Sequence, residues 1–124
     1  MKLLLDTHVV LWWLEDSARL GKQARKAIAR ADVVFVSVAS GWEAAIKISL
    51  GRLTIPGSLE DAVESSRFSK LPITFGHAAA LGDLPFHHRD PFDRMLIVQA
   101  RAEGLTIVTA DRKFEPYDVA VIWS

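Results

Sequence analysis

Short apolar runs alternate along the chain with segments of helical periodicity. The runs are rich in aliphatic and β-branched residues, which is typical of strands buried on both faces. They predict five strands, at residues 3–5, 33–36, 71–75, 106–109 and 119–122. Pro72 favours an edge position, or a strand start, for the third of these strands, because proline cannot donate a hydrogen bond to a neighbouring strand.

Apolar residues spaced three and four apart predict helices between these strands. The segments with helical character are 9–14, 20–31, 42–49, 58–63, 76–84 and 91–103. Trp42, Ala45, Ile46 and Ser49 fall on one face of the third helix, and Gly51 ends it. Strands of about four residues separated by helices predict an α/β fold, a three-layer α/β/α sandwich with a central, mostly parallel sheet of four to five strands. We expect one domain over residues 1–124.

Composition and charge narrow the classes of protein. The chain has 124 residues, half of them hydrophobic, and its 15 basic and 15 acidic side chains give a net charge of zero. A strongly basic nucleic-acid coat protein is excluded, although a local basic patch is not. The chain has no cysteine, which excludes disulfides, cysteine zinc sites and thiol nucleophiles and fits a reducing cytoplasm. No export or membrane segment is expected, because Asp6 interrupts the first apolar run.

Acidic side chains follow or precede the predicted strands at the same edge of the sheet. Asp6 ends the first strand, and Glu43 lies in the helix after the second. Asp90 and Asp93 open the helix before the fourth strand, and Asp111 follows that strand directly. Ligands of open α/β sheets bind beyond the carboxyl ends of the strands. The acids are therefore predicted to converge on a functional edge.

Most of these acids also have a structural interpretation. Asp6 and Asp111 are suited to cap the helical segments that follow them. Asp90 followed by Pro91 is a helix start, and Asp93 lies near the positive end of that helix dipole. Capping explains each acid separately, but it does not explain why all of them gather at one edge.

Glu43 has the strongest structural alternative. Ser40 and Glu43 match the S-x-x-E capping box, and Lys47 stands four residues later in the favoured order for an ion pair. Taken alone, Glu43 is better explained as a structural residue than as a site residue.

Converging carboxylates repel one another unless a positive charge lies between them. Oxygen donors without cysteine favour Mg²⁺ or Mn²⁺ over zinc. Such an ion lowers the pKa of a bound water and holds a phosphoryl oxygen, which suits phosphodiester hydrolysis. No side chain is an obvious dedicated general base, so the expected nucleophile is a metal-activated water.

Four segments together resemble, in order, the motifs of PIN-domain proteins, and most closely VapC-type toxins of toxin–antitoxin modules. The likeness spans residues 2–122, and the ordered set is more specific than any one motif. The segments are Leu4-Leu5-Asp6-Thr7-His8, Trp42-Glu43-Ala44-Ala45-Ile46-Lys47, Asp90-Pro91-Phe92-Asp93-Arg94-Met95-Leu96-Ile97 and Val108-Thr109-Ala110-Asp111.

The resemblance implies a Mg²⁺- or Mn²⁺-dependent endoribonuclease that cleaves RNA with four acids, Asp6, Glu43, Asp93 and Asp111. Asp93 matches better than Asp90, because it stands seven residues before Ala100, and Asp111 is the most variable position. The resemblance also implies a homodimer and a cognate antitoxin. Operator DNA is expected to be bound only through that antitoxin. The alternative is a catalytically inactive PIN-like domain that binds RNA or protein.

Other polar residues near the acids have simpler interpretations. His87 and His88 are adjacent, without a second histidine at ligand spacing, so we expect them to be loop residues. Basic side chains that flank the acids are candidates for holding phosphate. They are Arg89, Arg94, Arg112 and Lys113.

Overall fold

The computed structural model of the protein describes residues 1–124 and contains five strands and six α-helices. In chain order these are β1 (Lys2–Leu5), α1 (Thr7–Leu14), α2 (Lys22–Arg30), β2 (Val33–Ser37), α3 (Val38–Ser49), α4 (Leu59–Ser65), β3 (Ser69–Leu71), α5 (Phe75–Ala80), α6 (Pro91–Glu103), β4 (Thr106–Thr109) and β5 (Val121–Trp123). None of these helices combines the length and the apolar character needed to span a bilayer.

The five strands form one parallel sheet in the order β3-β2-β1-β4-β5. Leu5 at the end of the central strand lies opposite Val36 of β2 and Val108 of β4. The residues after these three therefore form one row at the carboxyl edge. That row contains Asp6, Ser37 and Thr109.

Helices cover both faces of the sheet, which confirms the predicted α/β/α sandwich. Leu4 of β1 packs into a core of 13 buried residues that includes Leu96 and Ile97 of α6. Leu3 and Leu5 point to the opposite face, into a core of 12 buried residues with α1, α2 and α4. The alternation along β1 fits a strand buried on both faces.

The third strand lies earlier than the sequence predicted. Residues 71–75 were expected to form it, but β3 is Ser69–Leu71 and pairs with the end of β2 at the edge of the sheet. Pro72 follows directly and lacks the N–H needed to continue the pairing. Thr74 then caps α5, because its hydroxyl accepts from the backbone N–H of His77 at 3.1 Å and its own N–H donates to the His77 ring.

The fifth strand begins two residues later than predicted. Residues 119–122 were expected, and β5 is Val121–Trp123. Val119 is held in a tight turn by its N–H, which donates to the carbonyl of Tyr117 at 3.0 Å. Pairing with β4 begins only after that turn.

Helix α3 buries small residues on one face and exposes large apolar residues on the other. Its buried face consists of small residues, Ala39, Ser40 and Ala44. Trp42 and Ile46, on the apolar face predicted from the sequence, are 59% and 38% exposed. The small buried face lets α3 approach its neighbours closely, whereas the large apolar side chains are left facing outwards.

Candidate metal centre at the carboxyl edge of the sheet

Asp6 lies at the middle of the carboxyl edge, directly after β1, and is almost fully buried. It caps α1 as predicted, because its Oδ1 accepts from the backbone N–H of Val9 at 2.9 Å. Its Oδ2 accepts from the hydroxyl of Thr109. The pKa of Asp6 is raised, chiefly because the carboxyl is buried. The nearby charge of Asp111 adds to the rise, and the two hydrogen bonds oppose it.

Thr109, the last residue of β4, joins two of the predicted acids. Its hydroxyl donates to Asp6 and accepts from the backbone N–H of Asp111 at 3.0 Å. Asp111 in turn caps a short 3₁₀ helix by accepting from the backbone N–H of Lys113 at 2.9 Å. Sequence reasoning missed Thr109. The available signal was a polar residue at a fully buried strand end, beside two acids.

Asp90 and Asp93 lie at the start of α6 but differ in role. Asp90 is the cap, and its Oδ1 accepts from the backbone N–H groups of Phe92 and Asp93 at 2.9 and 3.0 Å. The Asp93 carboxylate instead faces His88, whose Nε2 lies 2.7 Å from its Oδ2. Burial, followed by the charges of Asp90 and Asp6, raises the pKa of Asp93 to about 6, although His88 opposes the shift.

His88 lies in a loop, as predicted, but its ring faces two of the predicted acids. One ligand atom each from His88, Asp93 and Asp111 lie within 4.8 Å of one another. The reason is the path of the loop, which brings His88 back over the start of α6. Its backbone N–H donates to the Tyr117 hydroxyl at 2.8 Å, while the ring of the neighbouring His87 packs edge-on against Tyr117.

Arg94 does not face the site, so its prediction as a phosphate-binding residue is wrong. Its side chain is buried, and its guanidinium donates to the carbonyls of Pro85 at 2.8 Å and Leu84 at 3.1 Å. The same group lies 4.0 Å above the Phe86 ring. Arg94 therefore fixes the loop that carries His88. Its charge can be buried because the guanidinium donates hydrogen bonds to loop carbonyls, which in turn gain a donor.

Glu43 is not part of a capping box, which corrects the structural interpretation of this residue. The cap of α3 is Ser37, whose hydroxyl accepts from the backbone N–H of Ala39 at 3.0 Å, so Ser40 and Glu43 lie inside the helix. The predicted ion pair is present, with 3.3 Å between Oε2 of Glu43 and Nζ of Lys47. Oε1 of Glu43 is buried and has no hydrogen-bond partner.

Two buried hydrogen bonds fix α3, and with it Glu43, against the helices that carry the other acids. The Ser37 hydroxyl donates to Oε1 of Gln99 in α6 at 2.6 Å, and the Thr7 hydroxyl of α1 donates to that of Ser40 at 3.0 Å. Glu43 follows Ser40 by about one helical turn. The structure thus brings Asp6, Asp93 and Asp111 into direct electrostatic contact. The cluster of His88, Asp93 and Asp111 does not include Glu43.

A sequence model of the PIN domain matches residues 3–120. The chain belongs to the PIN-domain family. Ribonuclease VapC22 of Mycobacterium tuberculosis (strain ATCC 25618 / H37Rv) is 34% identical over 119 residues, which cover 92% of this chain and 90% of the relative. The resemblance seen in the four sequence motifs is thereby confirmed.

Solved structures share the fold of this PIN domain. A chain of VapBC2 from Rickettsia felis, bound to a promoter DNA fragment, has a TM-score of 0.71 at 13% identity and covers 100% of this chain and 99% of its own. A chain of a toxin–antitoxin complex from Klebsiella pneumoniae has a TM-score of 0.67 at 17% identity, covering 97% and 95%. At these identities the likeness concerns the fold alone.

PIN-domain nucleases generally depend on a divalent metal ion, and the residues at the carboxyl edge fit one. Carboxylate oxygens dominate the donor set, as hard cations prefer. Oε1 of Glu43 is a buried acceptor without a donor, and the pKa values of Asp6 and Asp93 are raised. Crowded carboxylates with these properties are stabilised by a cation between them.

Proposed function

We propose that this PIN-domain protein is a metal-dependent endoribonuclease that hydrolyses RNA phosphodiester bonds and serves as the toxin of a toxin–antitoxin module. The similarity to ribonuclease VapC22 supports the reaction class. The observation that carries the proposal is the convergence of Asp6, Asp93 and Asp111 from three separate segments, with two of their pKa values raised. Perturbed acids in one cluster are a signature of functional sites.

The proposed ligands of the cofactor, Mg²⁺ or Mn²⁺, are Asp6, Glu43, Asp93 and Asp111. When bound, the ion neutralises charge on the scissile phosphate and lowers the pKa of a coordinated water. The chain itself supplies orientation. Asp6 is held at both oxygens, yet each oxygen keeps a further lone pair for a ligand. Glu43 offers its unpartnered Oε1.

Exposed basic residues at the rim of the site are proposed to hold the RNA backbone. Arg112 and Lys113 directly follow Asp111, and Arg89 precedes the cap of α6; all three are exposed. The guanidinium of Arg112 lies 4.2 Å above the ring of Trp123, which keeps its position defined. Contacts of this type would weaken as salt is added, because they replace counterions on phosphate.

The outer face of α3 supports the proposed protein partners, a cognate antitoxin and a second copy of the chain. Trp42 and Ile46 are exposed there, and a groove of about 390 Å³ runs beside Trp42 between α3 and α4. Solved structures with this fold come from toxin–antitoxin complexes, one of them on promoter DNA. We propose that operator DNA is bound only through the antitoxin and that the toxin acts in the cytoplasm, on RNA.

RNA cleavage by the purified, metal-stripped protein tests the proposed reaction. In the presence of a chelator we expect no cleavage. After Mg²⁺ or Mn²⁺ is added we expect endonucleolytic products. Asp6→Asn is the control against a contaminating nuclease, because asparagine still caps α1 while the charge is lost. Metal-independent cleavage, or cleavage by the variant at the wild-type rate, would contradict the proposal. A folded protein without activity would favour a PIN-like binding module.

A further inference from the structure

We infer that His88 is a nitrogen ligand of the metal centre and that the centre therefore prefers Mn²⁺ to Mg²⁺. The inference rests on the proposed metal-dependent function and extends its four acids by a fifth residue of different chemistry. It starts from the position of the ring, whose Nε2 faces Asp93 at 2.7 Å and lies in one cluster with Asp93 and Asp111.

The spacing of the cluster suits a shared ion. Ligand atoms about 2.0–2.2 Å from one ion lie at most about 4.4 Å apart. The ligand atoms of His88, Asp93 and Asp111 already lie within 4.8 Å of one another. This limit is close to the spacing that one shared ion requires. The ion would replace the proton held between Nε2 of His88 and Oδ2 of Asp93, and that proton would be released to solvent.

The loop that carries His88 is held in place from two sides. The Tyr117 hydroxyl accepts from the N–H of His88 at 2.8 Å and donates to the carbonyl of Pro85 at 2.9 Å. Arg94 donates to the carbonyls of Pro85 and, at 3.3 Å, of His88. A buried arginine and a buried tyrosine thus fix the backbone on both sides of this ring. Supporting contacts of this kind are what orient metal ligands.

The neighbouring histidine, His87, lies on the same loop but outside the cluster. His87 is exposed, and its ring packs edge-on against Tyr117 at 5.1 Å between centroids. It contributes no atom to the cluster. His87 therefore provides a matched control: the same residue type, one position away, on the same loop.

The ligand type decides the preference between metals. Mg²⁺ is bound almost entirely by oxygen, whereas imidazole favours first-row transition ions. Four carboxylates alone would suit either ion. A nitrogen ligand adds affinity for Mn²⁺ that Mg²⁺ gains to a much smaller extent.

Pulsed electron paramagnetic resonance of Mn²⁺ bound to the RNA-free protein tests the inference directly. With protein in excess over Mn²⁺, we expect modulation from a directly coordinated ¹⁴N, replaced by ¹⁵N signals when the protein carries ¹⁵N-histidine. Wild-type protein suffices, so the test does not depend on a variant that folds. Bound Mn²⁺ without nitrogen coupling would overturn the inference.

Two variants assign the nitrogen to its residue. His88→Asn should lose the coupling and weaken Mn²⁺ binding about tenfold or more, while Mg²⁺ binding changes much less. His87→Asn should keep both properties. Equal weakening of the two metals by His88→Asn, with the coupling retained, would mean that His88 only positions Asp93, which would overturn direct ligation.

The RNA assay separates failure of this inference from failure of the proposed function. Metal-dependent cleavage without nitrogen coupling would leave the nuclease proposal standing and remove His88 from the metal. Nitrogen-coupled Mn²⁺ in a protein that does not cleave RNA would keep the ligand and remove the proposed function.

Discussion

Aspartates lie at both ends of the central strands, and their surroundings differ in the charge that faces them. At the amino edge, Asp32 precedes β2, is exposed and accepts from the N-terminal ammonium of Met1, which lowers its pKa. At the carboxyl edge, Asp6 and Asp93 are largely buried, and burial together with neighbouring carboxylates raises their pKa values. Asp32 therefore pairs with an ammonium group, whereas Asp6 and Asp93 have no arginine or lysine partner.

The cationic side chains near the carboxyl edge do not pair with Asp6 or Asp93. Arg94 donates to loop carbonyls, Lys47 pairs with Glu43, and Arg112 lies over Trp123. Asp6 and Asp93 thus have backbone, hydroxyl and imidazole partners but no arginine or lysine. Asp32 is stabilised by the ammonium group beside it. Asp6 and Asp93, which lie near other carboxylates, would be stabilised by a cation bound from solution.

Removing one charge at each edge should give the largest difference. Asp93→Asn should reduce metal-dependent RNA cleavage about 100-fold or more. Loss of a residue that only supports a metal ligand already costs about 10- to 100-fold in activity, and Asp93 is proposed to be a ligand itself. Asp32→Asn should leave the cleavage rate unchanged. If expression of the wild type arrests growth, Asp32→Asn should still arrest it and Asp93→Asn should not. Equal rates for both variants would remove Asp93 from the site.

Metal binding should stabilise the protein through the carboxyl edge only. An ion that binds the folded state alone adds about 2.7 kcal/mol to the free energy of unfolding at 100 times its dissociation constant. We expect Mn²⁺ to raise the melting temperature of the metal-stripped wild type and of Asp32→Asn. Asp6→Asn and Asp93→Asn should respond little. An unchanged wild-type melt at millimolar Mn²⁺ would contradict a preformed site.

Acidity should act on the two edges in opposite directions. The folded pKa of Asp93 is about 6, above its ordinary value of 3.8, so the folded state holds the extra proton between these values. The metal-stripped protein should therefore lose stability through this group as pH rises from about 4 to 6, by at most about 1.4 kcal/mol per pH unit. Asp32, with a lowered pKa, contributes stability that is lost as pH falls instead.

Comparison of variants isolates the Asp93 contribution from other titrating groups. Urea denaturation at several pH values should show a smaller loss of stability on raising pH in Asp93→Asn than in the wild type. Mn²⁺ should offset the loss in the wild type, because it binds the ionised carboxylates. A wild-type stability that rises over pH 4–6 as steeply as that of the variant would contradict the raised pKa.

Local signals sufficed to predict much of the fold. Helix α6 begins and ends as predicted, because Asp90 and Pro91 start it and Gly104, in a left-handed conformation with φ of 68°, ends it. The parallel sheet followed from buried strands separated by helices. The third strand was misplaced, because an apolar run does not reveal where Pro72 stops the pairing and Thr74 begins a helix.

The candidate site was predictable only where its residues follow strands or open helices. Asp6, Asp93 and Asp111 meet because parallel strands end at one edge. His88 was missed, because its place depends on Tyr117, 29 residues away in sequence, and on the burial of Arg94. Such contacts form only in the folded loop, and neither the spacing nor the composition of the sequence predicts them.

Of the variants at the carboxyl edge, Glu43→Gln should have the smallest effect on stability without metal. Among the predicted acids, Glu43 alone pairs with a lysine, and the loss of this pair in Glu43→Gln should cost only about 0.2–0.5 kcal/mol of unfolding free energy. No helix cap is lost, because Ser37 provides it. If Oε1 belongs to the metal centre, Glu43→Gln should still lower cleavage strongly and reduce stabilisation by Mn²⁺. Chemical denaturation, melts with Mn²⁺ and the RNA assay measure the three quantities.

Lys47→Gln is the matched control for this variant, because it breaks the same ion pair and keeps the Glu43 carboxylate. If the pair is the whole role of Glu43, both variants should show the same small loss of stability and neither should change metal response or cleavage. If Glu43 is a ligand, only Glu43→Gln should lose them. Lys47→Gln should keep the response to Mn²⁺, because removal of the competing ammonium leaves both oxygens of Glu43 free for the ion. Loss of the response in Lys47→Gln as well would show that the lysine, and not the metal, organises this side of the site.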